Sequence, residues 1–189
     1  MNTPNSPTKY KNQKFTSSSF PKTFTNCTFE KCDFTECDLQ SSTFEKCTFS
    51  SCNFSLTKVE DVIFSDVNFL NTKICGIDFS LINRFNVSMN FIDCIISFAS
   101  FFDLGMKKAK FTNSKITDTR FIRMDLIESD FGGTDLKGTI FNSSNLQKAN
   151  FVKAYNYYID PNLNKLKGAR FSPYEALSLL SSYEIIIEE

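Results

Sequence analysis

The 189-residue sequence has no histidine and no tryptophan, only six glycines and five prolines, and no net charge. Without histidine, the commonest general base and metal ligand is missing. The sparse glycines form no phosphate-cradling loop. These absences argue against an enzyme, and we assign no catalytic residue, cofactor site or metal ligand. No run of 18 apolar residues occurs and no early segment resembles a signal peptide, so we expect a single cytoplasmic domain without membrane contact. Basic and acidic residues balance at 21 each, which gives no reason to expect direct nucleic-acid binding.

What the chain has instead is phenylalanine, 22 of them, in strict rhythm. A large apolar residue recurs at every fifth position from Phe24 to Phe79 and again from Phe91 to Phe151. Fixed-period self-similarity signals one small unit stacked many times. Residues five apart share neither a helix face nor a strand face, so the chain must bend once per unit. Two positions before most centres stands a small or thiol-bearing residue, such as Cys27, Cys47, Ala99, Ser114, Thr134 or Ala149. That residue and the centre share the inner face of a short extended segment, and the one between them faces out. The outward residue is polar at most units, as at Asp33, Asp38, Asp78, Asp130 and Asn150, and the last two residues make a corner. Gly132 and Gly133 fall at such a corner.

The tandem units CDFTE, CDLQS, CNFSL, SDFGG, TDLKG, SNLQK and ANFVK resemble pentapeptide repeats. The resemblance implies an all-β solenoid, a right-handed quadrilateral β-helix with four repeats per coil, over residues 20–153. Residues one coil apart then stack at about the 4.8 Å strand spacing. Phe24, Phe44 and Phe64 line one side of the first block. In the second, Phe91, Phe111, Phe131 and Phe151 oppose Phe101, Phe121 and Phe141, with aliphatic columns between them. Burying each phenylalanine contributes roughly 1.5–3 kcal/mol before entropy, so this core needs neither disulfide nor metal. Six of the seven cysteines occupy the small inward position, where a thiol acts as a compact hydrophobe. We expect reduced, buried thiols.

The period breaks once. After Phe79 the rhythm calls for centres at positions 84 and 89, but it resumes only at Phe91, so two residues are inserted between Ser80 and Asn90. Arg84 and Phe85 in this segment form a candidate loop contact. Residues 1–19 are expected to be flexible, although Tyr10, Phe15 and Phe20 keep a five-residue rhythm in another phase. Residues 154–189 are expected to form a cap. Within it, Ser172 to Glu175 reads as a capping box with Pro173 at the first helical position, and Ile185 to Ile187 as a strand.

The stretch from Tyr157 to Ile187 is similar to the C-terminal module of the pentapeptide repeat proteins that protect bacterial DNA gyrase, the group of Qnr, MfpA and McbG. That resemblance implies a homodimer through Leu177, Leu180, Tyr183, Ile185, Ile186 and Ile187. It also implies a rod that mimics duplex DNA, with DNA gyrase or topoisomerase IV as partner and protection from a drug or toxin as the result. The chain's neutrality is weak support for mimicry, which favours strong acidity. The acid is concentrated in residues 24–79, nine acidic against four basic, while residues 91–151 hold seven against eight. Asp38, Glu60, Asp61 and Asp78 form the candidate acidic face. Lys107, Lys108, Lys110, Lys115, Arg120 and Arg123 spread over several faces and read as solvated surface. The Qnr proteins' sizeable loops have no counterpart here, which argues against quinolone protection and leaves loop-free gyrase binding of the MfpA kind. The competing class is a generic protein-binding scaffold, a regulator or a secreted effector.

Overall fold

The structure, a computed structural model, describes residues 7–16, 23–183 and 185. Strands of two to four residues stack in parallel into a β-solenoid of about eight turns. Each strand is short because the chain is extended only around its apolar centre. Thr28–Glu30 is half-buried at its ends and fully buried at Phe29. Strands one coil apart lie in register, with Phe24 opposite Phe44, Phe29 opposite Phe49 and Phe101 opposite Phe121.

The inward centres form four columns. One is aromatic throughout: Tyr10, Phe29, Phe49, Phe69, Phe91, Phe111, Phe131, Phe151 and Phe171, with successive ring centroids 4.7–5.1 Å apart and planes within 14° of parallel. The opposite column runs through Leu39, Val59, Phe79, Phe101, Phe121 and Phe141. Phe15, Phe34 and Phe54 give way to Ile74, Ile96, Ile116 and Leu136 in the third. Phe24, Phe44 and Phe64 give way to Met106, Leu126 and Leu146 in the fourth. In the second block, rings of opposite columns meet edge to face, as Phe111 and Phe121 do at 5.4 Å, an arrangement the ring quadrupole favours.

Two further ladders hold the coils. The small inward residue donates to the carbonyl of the apolar centre one coil back: Cys47 to Phe24, Cys52 to Phe29, Thr72 to Phe49, Cys94 to Phe69, Ser114 to Phe91, Thr134 to Phe111 and Ser144 to Phe121. At these Cys, Ser and Thr positions the donor is used in this way, while Ala99, Ala109, Ala149 and larger apolar residues such as Leu104 and Met124 fill the slot by packing alone. All seven cysteines are free, and six are buried. At the corners the second residue adopts positive φ, at 24 non-glycine positions and four glycines among the described residues. The conformation turns its N–H along the rod into the next coil, as from Lys46 to the Ser65 carbonyl at 2.8 Å. The outward Asp or Asn accepts from the backbone two residues on, Asp130 from Gly132 at 2.9 Å for example. The recurring acids thus close turns.

The inserted residues are absorbed within one coil. Phe69 pairs with Phe91 and Ile74 with Ile96, two residues further along than elsewhere in the rod, and the columns realign. A 3-10 turn over Phe79–Leu81 starts the detour, and the Asn83 and Ser88 N–H groups return it to the Val62 and Phe64 carbonyls, each at 3.0 Å.

Both ends differ in part from expectation. Residues 9–11, expected to be flexible, form a strand paired with Thr28–Glu30, and Phe15 stacks on Phe34 at 4.6 Å. Each covers an aromatic ring that the first coil would otherwise leave bare. Residues 1–6, 17–22, 184 and 186–189, with Phe20, Ile186 and Ile187 among them, lie outside the described residues. At the other end Pro173 opens a four-residue helix, Pro173–Ala176, followed by a 3-10 segment Leu177–Tyr183. The expected capping bond is not made, because the Ser172 hydroxyl accepts the Lys153 N–H of the preceding coil at 2.8 Å. Ile185 is in no strand.

Candidate partner-binding face

The coil-to-coil register places Asp38, Lys58 and Asp78 in one outward column, with Asp38 bridged directly to Lys58. Asp38 and Asp78 each close a turn, accepting from the Gln40 and Ser80 N–H groups at 3.0 and 2.9 Å. Glu60 and Asp61 occupy the adjoining corner, where both are exposed. Asp61 is held by Ser41 from the coil before and by Asn83 from the coil after, at 3.4 and 2.7 Å. The four candidate acids therefore share one side of the rod, but Lys58 stands in their midst. The patch carries four carboxylates against one ammonium.

The loop of the period break borders this patch. Arg84 pairs with Asp103 at 2.7 Å, and Arg123 reaches the same carboxylate at 3.4 Å while lying over the Phe102 ring at 5.2 Å. The Arg84 guanidinium, with Arg123 adding to it, holds the Asp103 carboxyl below the usual range. The Phe85 N–H donates to Asn83 at 3.0 Å, and Asn86 reaches Ser65 at 2.8 Å. The loop is thus tied down on both sides, and Phe85 stands 73 % exposed between the ties. Arg84 is committed to Asp103, so of the candidate pair Phe85 is the one that presents a bare surface.

At the C-terminal end the candidate dimer residues Leu177, Tyr183 and Ile185 are about half exposed, and Leu180 is partly buried. Tyr155, Tyr158 and Leu163 add exposed apolar surface on the last coil. Among the described residues no helix is long and apolar enough to cross a membrane.

The profile of the pentapeptide repeat region matches residues 22–89, and that of pentapeptide repeats in eight copies matches 106–142 and 131–155, together more than half of the sequence. The chain belongs to the pentapeptide repeat family. No curated protein matches it significantly. Among solved structures, two trypsin-treated variants of QnrB1, a plasmid-mediated fluoroquinolone resistance protein, superpose with TM-scores of 0.66 and 0.65 at 17 and 18 % identity. Each alignment covers 96 % of this chain and 98 % of that one. Full-length QnrB1 gives 0.56 at 19 %, over 95 % and 98 %. At such identity the likeness speaks for the pentapeptide repeat fold.

Two features of this pentapeptide repeat protein escaped the sequence reading. Lys58 lies one coil from both Asp38 and Asp78, so the grid that gathered the acids also contained their neutralising partner. The Arg84–Asp103–Arg123 cluster had no such signal, since the break shifts the register around Arg84 by two.

Proposed function

We propose that this pentapeptide repeat protein is a non-enzymatic homodimer that binds DNA gyrase or topoisomerase IV through the acidic side of its first block and protects the enzyme from a drug or toxin. The observation that carries the reading is the gathering of Asp38, Glu60, Asp61 and Asp78 on one side of a straight-registered rod. The full-length likeness to a fluoroquinolone resistance protein supports it. A fixed array of carboxylates attracts a DNA-binding groove at long range, and that attraction weakens with salt. Phe85, tied beside the patch, would supply an apolar anchor. Lys58 and the overall neutrality favour the second reading, a scaffold for some other protein.

The test is DNA supercoiling by purified gyrase, titrated with the protein with and without a quinolone at two salt concentrations. Salt-sensitive inhibition at micromolar protein is expected. Neutralising the patch as Asp38→Asn, Glu60→Gln, Asp61→Asn and Asp78→Asn keeps the turn-closing acceptors and should remove most of that inhibition. Inhibition that survives neutralisation would rule out charge mimicry by this face. No effect of the unaltered protein would favour the scaffold.

A further inference from the structure

The even charge balance of the whole chain hides a local excess of base. Residues 132–171 hold six basic residues against two acidic ones, Asp135 and Asp160. Five of the six, Lys148, Lys153, Lys165, Lys167 and Arg170, gather on two adjoining sides of the last two coils, and all are exposed. The coil-to-coil register fixes the grouping. Lys165 is bridged to Asn145, the Lys148 N–H donates to the Lys167 carbonyl at 3.0 Å, Arg170 lies opposite Asn150, and the Lys153 N–H donates to the Ser172 hydroxyl at 2.8 Å. Lys165 and Lys167 thus flank Leu166 on one side of the rod, Arg170 precedes Phe171 on the next, and Lys148 stands at the corner between them. A Cβ at Gly168 would come within 3.3 Å of the Lys148 Cγ, so the glycine leaves the lysine stem its room at that corner.

Neither acid shares these sides. Asp135 lies in the column of Lys115 and Tyr155, and Asp160 closes its own turn by accepting the Asn162 N–H at 2.8 Å. The coil before carries Asp125, Glu128 and Asp130, and Lys107, Lys108 and Lys110 answer them one for one. Asp125 pairs with Lys107 at 3.3 Å, Glu128 lies between Lys108 and Lys148 at 3.7 and 3.6 Å, and Asp130, in register with Lys110, accepts the Gly132 N–H. Among the described residues Lys153, Lys165, Lys167 and Arg170 form no ion pair. Between the cations the outward side chains are the amides of Asn145, Gln147 and Asn150, with Val152 the one apolar residue, so the strip lacks the apolar pocket in which a protein segment anchors. It ends instead at a bare ring: Tyr174, two residues past Ser172 at the opening of the cap, is 89 % exposed.

Cations on both sides of a convex corner suit a flexible polyanion. A stiff duplex touches such a corner along one line and reaches the cations of one side at a time, because bending it is costly, whereas a single strand follows the corner round. We infer that this end of the rod binds single-stranded nucleic acid, its phosphates held by Lys148, Lys153, Lys165, Lys167 and Arg170 and one base stacked on Tyr174. A positive strip with an aromatic platform holds a single strand without reading its sequence. The surface lies toward the opposite end of the rod from Asp38, Glu60, Asp61 and Asp78 and needs no topoisomerase partner.

The test is fluorescence anisotropy of a fluorescein-labelled thymidine oligonucleotide about ten nucleotides long, titrated with the protein from low to moderate salt. Five neutralised phosphates give log affinity a slope of about −3.5 on log salt, about 0.7 for each. Lys165→Gln/Lys167→Gln/Arg170→Gln should weaken binding at least tenfold and bring the slope to about −1.4. Tyr174→Ala should weaken it about fivefold or more with the slope unchanged, since stacking releases no counterion. Lys31→Gln/Lys46→Gln, toward the other end of the rod, should bind as the unaltered protein does. The substituted side chains are exposed, so melting followed by circular dichroism should show the fold intact; if the triple variant melts lower, Tyr174→Ala and the salt slope carry the test. Absence of binding at low salt, equal binding by the triple variant and by Tyr174→Ala, or equal loss in the distant pair would overturn the proposal. So would tighter binding of a duplex of the same length, or displacement of the oligonucleotide by polyglutamate at equal charge, which would make a duplex or an acidic protein the occupant.

Discussion

Phe121 has its faces 4.8 Å from Phe101 and 5.0 Å from Phe141, and meets Phe111 and Phe131 edge to face at 5.4 and 5.9 Å. It is fully buried. Strands above and below keep their spacing whatever fills the column, so the coil cannot collapse around a missing ring. Phe121→Ala should then cost about 3–5 kcal/mol, the range for large-to-small changes in rigid cores. Urea unfolding showing a loss under about 1 kcal/mol would contradict a close-packed column. Tyr157 makes the opposite case. It packs under the C-terminal cap against Phe151 and Phe171, and its buried hydroxyl has no hydrogen-bond partner among the described residues. The Ser178 hydroxyl beside it donates to the Glu175 carbonyl instead, at 2.8 Å. Burial, with Glu175 nearby, pushes the Tyr157 hydroxyl up to about 12. Removing an unsatisfied buried group removes its desolvation cost of about 1–3 kcal/mol. Tyr157→Phe should therefore leave stability unchanged or raise it by about 1 kcal/mol, and a clear drop in Tm would reveal a partner for the hydroxyl.

The inward rail of thiols and hydroxyls is an element in its own right, and it makes stability depend on pH. Burial pushes the thiols of Cys47 and Cys52 up to about 12 and those of Cys37 and Cys94 to about 11. In the unfolded chain the same thiols ionise near the ordinary value of about 8.5. The folded state thus holds protons that the unfolded state releases first, so the thiols' contribution is complete below about pH 8.5 and is lost as pH climbs toward 11–12. Denaturant unfolding should give a flat free energy from pH 6 to 8 and a fall from pH 9 upward. Replacing Cys37, Cys47, Cys52 and Cys94 with serine, which occupies this position at Ser42, Ser114 and Ser144, should flatten that fall. An unchanged slope in the serine variant would assign the alkaline loss to tyrosines or surface charge instead.

At the scale of the whole rod, the five-residue rhythm made the solenoid and its phenylalanine columns legible, because one rule places every centre from Phe91 to Phe151. The rule failed where the chain leaves the grid. Tyr10 and Phe15 precede Phe29 and Phe34 by one residue less than a full coil, so the first coil looked like a loose segment. Ser172 read as a helix cap because a linear motif does not reveal that the Lys153 N–H lies one coil away. The acidic patch was half legible, its carboxylates found and Lys58 overlooked, and the exposure of Leu56 and Phe98 could not be read from a pattern that takes any residue at the corner. If the grid governs the whole molecule, removing one complete coil should be tolerated. Deleting residues 112–131 joins Phe111 to Gly132, so that Phe151, Leu136, Phe141 and Leu146 move onto Phe111, Ile96, Phe101 and Met106, each column keeping its own kind of side chain. The ion pairs lost with the coil, Arg123–Asp103, Lys107–Asp125, Lys108–Glu128 and Lys148–Glu128, are exposed and worth little. Nearest-neighbour contacts are otherwise restored, as in any stacked repeat, and the rod should unfold in one transition and be shorter in solution scattering by about 4.8 Å. Deleting residues 112–128 instead stops three residues short of a full coil, sets polar corner residues against the columns, and should abolish the cooperative transition. If both deletions folded equally well, the coil-to-coil register would not be what holds the rod together.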